Sequence, residues 1–282
     1  MNFNEMKTIL FPTDFSKSAE HASQYAGMLA RSMNARVVIL NVHAPIFTKS
    51  QNELEQCREI AESKKESEED LRNFTTILIE KTLLCPDRII QCVEFGSSVA
   101  EKIVEKAKKI NAHFIVMGTK GASNILTKWI GTNAEKVMKI SECPVLIIPE
   151  NISIKFPHNI VYAADFEEDK FLATSNVLQI FEPLEVVCEV IYIHDFLKIK
   201  SGSIVEESTG SLRQEFVDEN VLVRKINRTD IIEGLEPYIK LNQPDVLSLA
   251  IDEKLMFEKI FEPSVTKYFV QNPQLPILTF RK

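Results

Sequence analysis

Apolar positions along the chain fall into two alternating spacings. Short, nearly unbroken apolar runs occur at Thr8–Phe11, Val37–Val42 (interrupted by Asn41), Ile89–Val93, Phe114–Met117 and Val145–Ile148. Runs this short, apolar on both faces, read as strands of a parallel sheet covered by helices. Between them the spacing becomes helical. Ala19, Ala22, Tyr25, Ala26, Leu29, Ala30 and Met33 share one face, with Ser16 or Ser18 as N-cap and Asn34 as a left-handed stop. Val99, Ile103, Val104, Ala107 and Ile110 share another, opened by the capping box Ser98-x-x-Glu101, and Thr132-Asn133-Ala134-Glu135 repeats that form before a further helix. The charged segment from Gln51 to Thr82 reads as a helix whose KKESEED core is a solvated face. Five strands alternating with four helices predict a doubly wound α/β domain, Rossmann-like, of about 150 residues.

The pattern then restarts. Ile160–Phe166 repeats Ile9–Phe15 at an offset of 151 positions, and the same offset carries Val42-His43 onto Ile193-His194. Near the end, Pro276-Ile277-Leu278 repeats Pro144 and the strand after it at an offset of 132. The chain therefore reads as two tandem copies of one five-stranded parallel-sheet domain, 1–150 and 151–282, joined near Glu150 to Pro157. The copies differ in chemistry. Gly118, Gly121 and Gly131 become Ala250, Glu253 and Pro263. The second copy thus lacks the backbone freedom of a glycine loop, loses one N–H donor and gains a negative charge. Because the strand and helix frame survives that loss, the three glycines of the first copy call for a ligand to explain them. Asp14 has a counterpart in Asp165, and the paired His43 and His194 suggest a structural role common to both copies.

Composition narrows the picture. With 45% hydrophobic and 26% charged residues the chain is globular, and its net charge of −7 argues against a nucleic-acid partner. No apolar run is long enough for a membrane span, and the first residues, MNFNEMK, lack the apolar core of a signal peptide. Cys57, Cys85, Cys92, Cys143 and Cys188 are scattered without a CxxC pair, as suits a reducing compartment, and no His or Cys set has metal spacing. These features predict a soluble, cytoplasmic protein without a membrane or nucleic-acid partner.

The candidate chemistry lies between Phe114 and Pro149. A glycine-rich loop feeding a helix N-terminus offers free backbone N–H groups and the positive end of the helix dipole, which together favour a phosphate. The spacing Gly118-x2-Gly121-x9-Gly131-Thr132 resembles the signature of ATP-binding universal stress proteins. The strand-end Pro12-Thr13-Asp14, the Val42 strand, the Gly96-Ser97 turn and Cys143-Pro144-Val145 agree with it. The chain as a whole resembles a tandem member of that family. The resemblance implies that Asp14 and a backbone group of Val42 hold adenine and ribose, flanked by Pro12, Thr13 and Met117. It further implies that Gly118, Gly121, Gly131 and Thr132, with Asn133 adjacent, hold the phosphates of one ATP per chain. A Mg²⁺ ion beside those phosphates is compatible with this reading. The resemblance also implies intramolecular pairing of the two domains and allows a homodimer.

Plainer roles exist for each residue. Thr132 can serve only as an N-cap, Asp14 only as a cap of the first helix, and Gly118 and Gly121 only as turn glycines. Lys120 and Lys128 read as solvated, and Trp129 as packing under the loop. The loop contains no Asp, Glu or His to activate a water, so the leading function is nucleotide-dependent interaction in stress response or signalling. A slow ATPase or phosphotransferase and an interaction protein that binds no nucleotide are the alternatives. An ATP pyrophosphatase of similar fold would want an SGGxDS-like loop after the first strand, where this chain has PTDFSKS.

Overall fold

The computed structural model describes residues 6–43, 53–119, 131–164, 170–194, 221–227, 230–251, 265–271 and 273–281. The chain divides into two compact units, Met1–Ile154 and Lys155–Lys282. In the first, β1 (Thr8–Pro12), α1 (Lys17–Ser32), β2 (Arg36–His43), α2 (Glu53–Thr82), β3 (Ile89–Phe95), α3 (Val99–Lys109), β4 (Phe114–Gly118), α4 (Thr132–Ile140) and β5 (Val145–Ile148) follow in order. The strands pair in parallel in the order β3-β2-β1-β4-β5. The chain winds outward from β1 to β3, then returns to the other side of β1 as β4. That reversal puts a topological switch point between β1 and β4.

The inner strands are apolar throughout because both faces are covered. Ile9, Leu10, Phe11, Val37, Ile39, Leu40, Phe114, Ile115 and Val116 are fully buried together with Ala22, Tyr25, Leu29 and Ala30 of α1 and Ile103 of α3. Helix ends follow local chemistry. The Ser16 hydroxyl accepts from Ala19 N at 3.2 Å, and Asn34 turns the chain out of α1 at φ 53°. Ser98 accepts from Glu101 N at 3.4 Å to open α3. Helix α4 starts at Thr132, but Gly131 occupies the cap position, so the capping box expected on Thr132 and Glu135 does not form. Glu135 N donates instead to the Gly131 carbonyl at 3.1 Å.

Helix α2 runs unbroken for 30 residues. Its KKESEED stretch is exposed except at Ser67, which is buried, and Glu68, which is half-buried, so that stretch is more than a solvated face. Ser67 and Ser63 lie against the two ring nitrogens of His43. The Ser67 hydroxyl donates to the Ser63 carbonyl at 2.8 Å, so toward His43 it accepts from Nε2–H. His43 Nδ1 is then the acceptor for the Ser63 hydroxyl. The ring also packs on Phe95 at 5.7 Å between centroids. His43 thus pins α2 to the end of β2.

The second unit contains β6 (Asn159–Ala164), α5 (Lys170–Phe181), β7 (Val187–His194), β8 (Val221–Asn227), α6 (Ile231–Asn242), β9 (Val246–Ile251), α7 (Val265–Gln271) and β10 (Ile277–Arg281). Its parallel order, β8-β7-β6-β9-β10, repeats that of the first unit strand for strand. β7 occupies the span of β2 shifted by 151 positions, and β9 and β10 begin where β4 and β5 do when shifted by 132.

One backbone bracket recurs with different side chains. In the first unit Thr8 N donates to His113 Nδ1 at 3.1 Å while His113 N donates to the Thr8 carbonyl at 2.8 Å. In the second, Asn159 N donates to Asp245 Oδ2 at 2.9 Å while Asp245 N donates to the Asn159 carbonyl at 2.8 Å. Asp245 also accepts from His158 N at 2.9 Å and pairs with Lys155 at 2.5 Å. Burial opposes ionisation of Asp245, but the Lys155 ammonium and the two N–H donors outweigh it and hold the carboxyl below its ordinary 3.8. A carboxylate whose folded pKa lies below its unfolded value stabilises the fold fully above the unfolded pKa and loses that contribution as pH falls through the folded one. Asp245→Ala is therefore expected to cost about 2 kcal/mol near neutral pH, the scale of lost charged hydrogen bonds. In urea denaturation of the full chain, the gap between variant and parent should narrow as pH falls below 3.8.

Candidate functional site

The candidate residues gather at the C-terminal ends of β1, β2 and β4, beside the switch point. Pro12 ends β1, and Thr13, which is buried, is tied to β2 through both backbone groups. Its N–H donates to the Leu40 carbonyl at 2.8 Å, and its carbonyl accepts from Asn41 Nδ2 at 2.9 Å. The chain then reverses through Phe15 at φ 60°. Phe15 N donates to Thr13 Oγ1 at 3.0 Å and Ser16 N to Asp14 Oδ1 at 3.1 Å. Asp14 is therefore held at the mouth of the switch point by a local turn, with its side chain exposed. The N-cap of α1 is Ser16, not Asp14.

Val42 is half-buried and pairs in register with Glu94 of β3. The Leu40 carbonyl turns toward β1, and the His43 carbonyl turns toward β3, where it accepts from Gly96 N at 3.0 Å. By the alternation of a parallel ladder, the N–H and C=O of Val42 face the side of β1 beyond Pro12, the last residue of that strand. A planar ligand lying across the end of β1 would meet them.

On the other side of the switch point, Met117 is buried and Gly118 closes β4. A Cβ at position 118 would lie 2.7 Å from Ser18 Oγ and 2.9 Å from the Ser18 carbonyl oxygen. The first turn of α1 therefore packs directly on Gly118. This corrects the expectation that all three glycines need a ligand to explain them, because sterics alone require Gly118. Gly131 N donates to the Thr119 carbonyl at 2.5 Å, which ties the start of α4 to the residue after β4. Gly131 sits at φ −66°, a value open to any residue. As a cap it has no side chain to offer the first turn. The N–H groups of Thr132, Asn133 and Ala134 have no acceptor within the helix, and Thr132 and Asn133 are exposed. Gly121, with Lys120, Lys128 and Trp129, lies outside the described residues, as do Asp165, Glu253 and Pro263 of the second copy. Ala250, the counterpart of Gly118, stands in β9.

Asn41 was not foreseen as part of this frame. Its amide clamps Thr13, and its Oδ1 is buried without a partner among the described residues. The signal was its being the one polar residue within the apolar run Val37–Val42.

Residues 5–149 match the model of the universal stress protein family, about half the chain, and the chain belongs to that family. A universal stress protein of Methanocaldococcus jannaschii is 29% identical over 148 residues, covering 51% of this chain and 83% of that protein. One of Bacillus subtilis, YxiE, is 28% identical over 156 residues, covering 52% and 99%. Among solved structures, a universal stress protein from Archaeoglobus fulgidus matches 98% of this chain with 99% of its own, at a TM-score of 0.69 and 15% identity. That last likeness concerns the fold alone, and it extends over both units.

The contact of α1 with Gly118 makes a ligand-independent prediction. Gly118→Ala should lower stability by about 1–3 kcal/mol without any nucleotide present, since the Ser18 backbone must move to admit the methyl group. Chemical denaturation of the ligand-free variant measures it.

Proposed function

We propose that the first unit binds one ATP at the β1/β4 switch point, and that nucleotide occupancy governs interactions of the protein in stress response or signalling. The supporting observation is the convergence, around one switch point, of an exposed carboxylate, an outward-facing strand backbone and an uncapped helix N-terminus. Asp14 accepts from the ribose hydroxyls or the base amine, and the backbone of Val42 meets the edge of adenine. Pro12, Thr13 and Met117 form the apolar and backbone walls. The N–H groups of Thr132, Asn133 and Ala134, with the Thr132 hydroxyl, take phosphate oxygens. The dipole of α4 favours their charge, and Mg²⁺ is an optional companion. Gly118 and Gly131 stand at the two ends of the segment, and Gly121, between them in sequence, is assigned to the phosphates with them.

Hydrolysis is not part of the proposal, because the loop from Gly118 to Gly131 contains no Asp, Glu or His. The second unit, with Ala250, Glu253 and Pro263 at the corresponding positions, is read as a copy that binds no ATP. The same reading takes the protein to be cytoplasmic, supported by its scattered cysteines without a pairing pattern. Among the described residues no helix is long and apolar enough to cross a membrane.

Gly121→Glu, which copies the second unit, tests the site. Isothermal titration calorimetry of the parent should give a stoichiometry near one ATP per chain. The variant should lose at least tenfold in affinity while its thermal unfolding is unchanged. Unaltered affinity in the variant, or a stoichiometry near two in the parent, overturns the assignment.

A further inference from the structure

A second reactive cluster lies away from the loop, between β3 and α3. Cys92 and Glu94 are two residues apart on β3 and so point to one face, where Lys106 of α3 reaches both. Lys106 Nζ stands 2.9 Å from Cys92 Sγ and 3.0 Å from Glu94 Oε1. The thiol in turn lies 3.8 Å from the same carboxylate oxygen. The lysine is largely enclosed, with its side chain 14% exposed, while Glu94 at 30% and the half-buried Cys92 leave the sulfur within reach of small solutes. The three groups form a closed ring in which the ammonium donates to sulfur and carboxylate, and the thiol to the carboxylate. The Lys106 ammonium, and more weakly Lys109, hold the Glu94 carboxyl below its ordinary range against its partial burial, while burial of Lys106 is outweighed by Cys92 and Glu94, so the pair rests as carboxylate and ammonium.

We propose that Cys92 and Lys106 form a reversible sulfur–nitrogen cross-link when the protein meets hydrogen peroxide. The thiol loses its proton to solvent, and the thiolate, held by the Lys106 ammonium, attacks one peroxide oxygen. The O–O bond breaks, sulfur is oxidised to a sulfenic acid, and the departing hydroxide takes a proton from the Lys106 ammonium and leaves as water. The freed amine lone pair attacks sulfur, the S–O bond breaks, and the departing hydroxide takes a proton from the attacking nitrogen and leaves as a second water. The net change converts one thiol, one ammonium and one peroxide into a sulfenamide, two waters and a proton. A thiol reductant reverses it through attack on sulfur, which releases the amine and leaves a mixed disulfide that a second thiol resolves. The lysine thereby protects Cys92 from further, irreversible oxidation and staples β3, an outer strand of the first unit's sheet, to α3. The inference does not depend on nucleotide binding, since none of the three residues belongs to the proposed ATP site.

The test treats the full chain with hydrogen peroxide and maps its peptides by mass spectrometry, with dimedone as a trap for sulfenic acid. In the parent, the peptides carrying Cys92 and Lys106 should appear joined and about 2 Da lighter than their sum, and should separate on treatment with dithiothreitol. Lys106→Arg keeps the charge beside Glu94 but lacks the amine. It should give no joined peptide and at least threefold more dimedone on Cys92. Absence of the joined peptide in the parent overturns the proposal, and so does equal dimedone labelling of parent and variant.

Discussion

All pairings within the first unit are parallel, and that constraint governs where chemistry can occur. Parallel strands begin at one edge of the sheet and end at the other, so each loop that follows a strand emerges on the same side. The reversal of winding between β1 and β4 then opens a gap there that no crossover covers. Asp14, Val42, Gly118 and Thr132, far apart in sequence, come to one place for this reason. Two local clamps keep the gap in shape. The Asn41 amide and the Leu40 carbonyl bind the end of β1 to β2, and the first turn of α1 packs on Gly118 at the end of β4. Helix α1 is thus braced from both sides of the site it borders.

Much of this frame was legible in the sequence because burial on both faces leaves a continuous apolar run. Val145–Ile148 was placed to the residue, and the other four strands of the first unit extend one or two residues past their apolar runs. The extra residues are Pro12, Arg36, His43, Glu94, Phe95 and Gly118, mostly polar or turn residues that pair through backbone alone. Ser16, Asn34 and Ser98 cap as their types dictate. The capping box at Thr132 failed because Gly131 can occupy the cap position as well as Thr132, and the hydrogen bond to Thr119 fixes Gly131 there. Sequence patterns do not register such tertiary ties.

The hidden elements share that property. Ser67 looked solvated because its neighbours are charged, yet it is the helical position that faces His43. His113 and Asp245 perform one task in the two units, but no similarity scale equates histidine with aspartate. Only the geometry, each accepting from the first strand's backbone while its own N–H returns the bond, identifies them. The repeat is conserved here as a hydrogen-bond pattern rather than as residues. Cys92 and Lys106 were equally silent, since fourteen positions and an intervening helix turn separate them before the fold brings Nζ to 2.9 Å from Sγ.

The contrast between the copies still bears on the proposed nucleotide site, with its weight redistributed among the three glycines. Gly118 answers to the packing of α1 in the first unit. Ala250 is the smallest residue that could replace it, so this exchange says little about ligands. Gly131 has a backbone conformation open to any residue, and proline's fixed φ near −65° matches it. Backbone strain therefore explains neither Gly131 nor its replacement by Pro263. What glycine contributes at the cap is the lack of an acceptor, which leaves the N–H groups of the first turn without a side-chain cap. A serine or threonine there would occupy one of them. Gly131 thus matters for what it leaves unbonded, and Gly121, replaced by an acid in the second copy, carries the electrostatic part of the contrast.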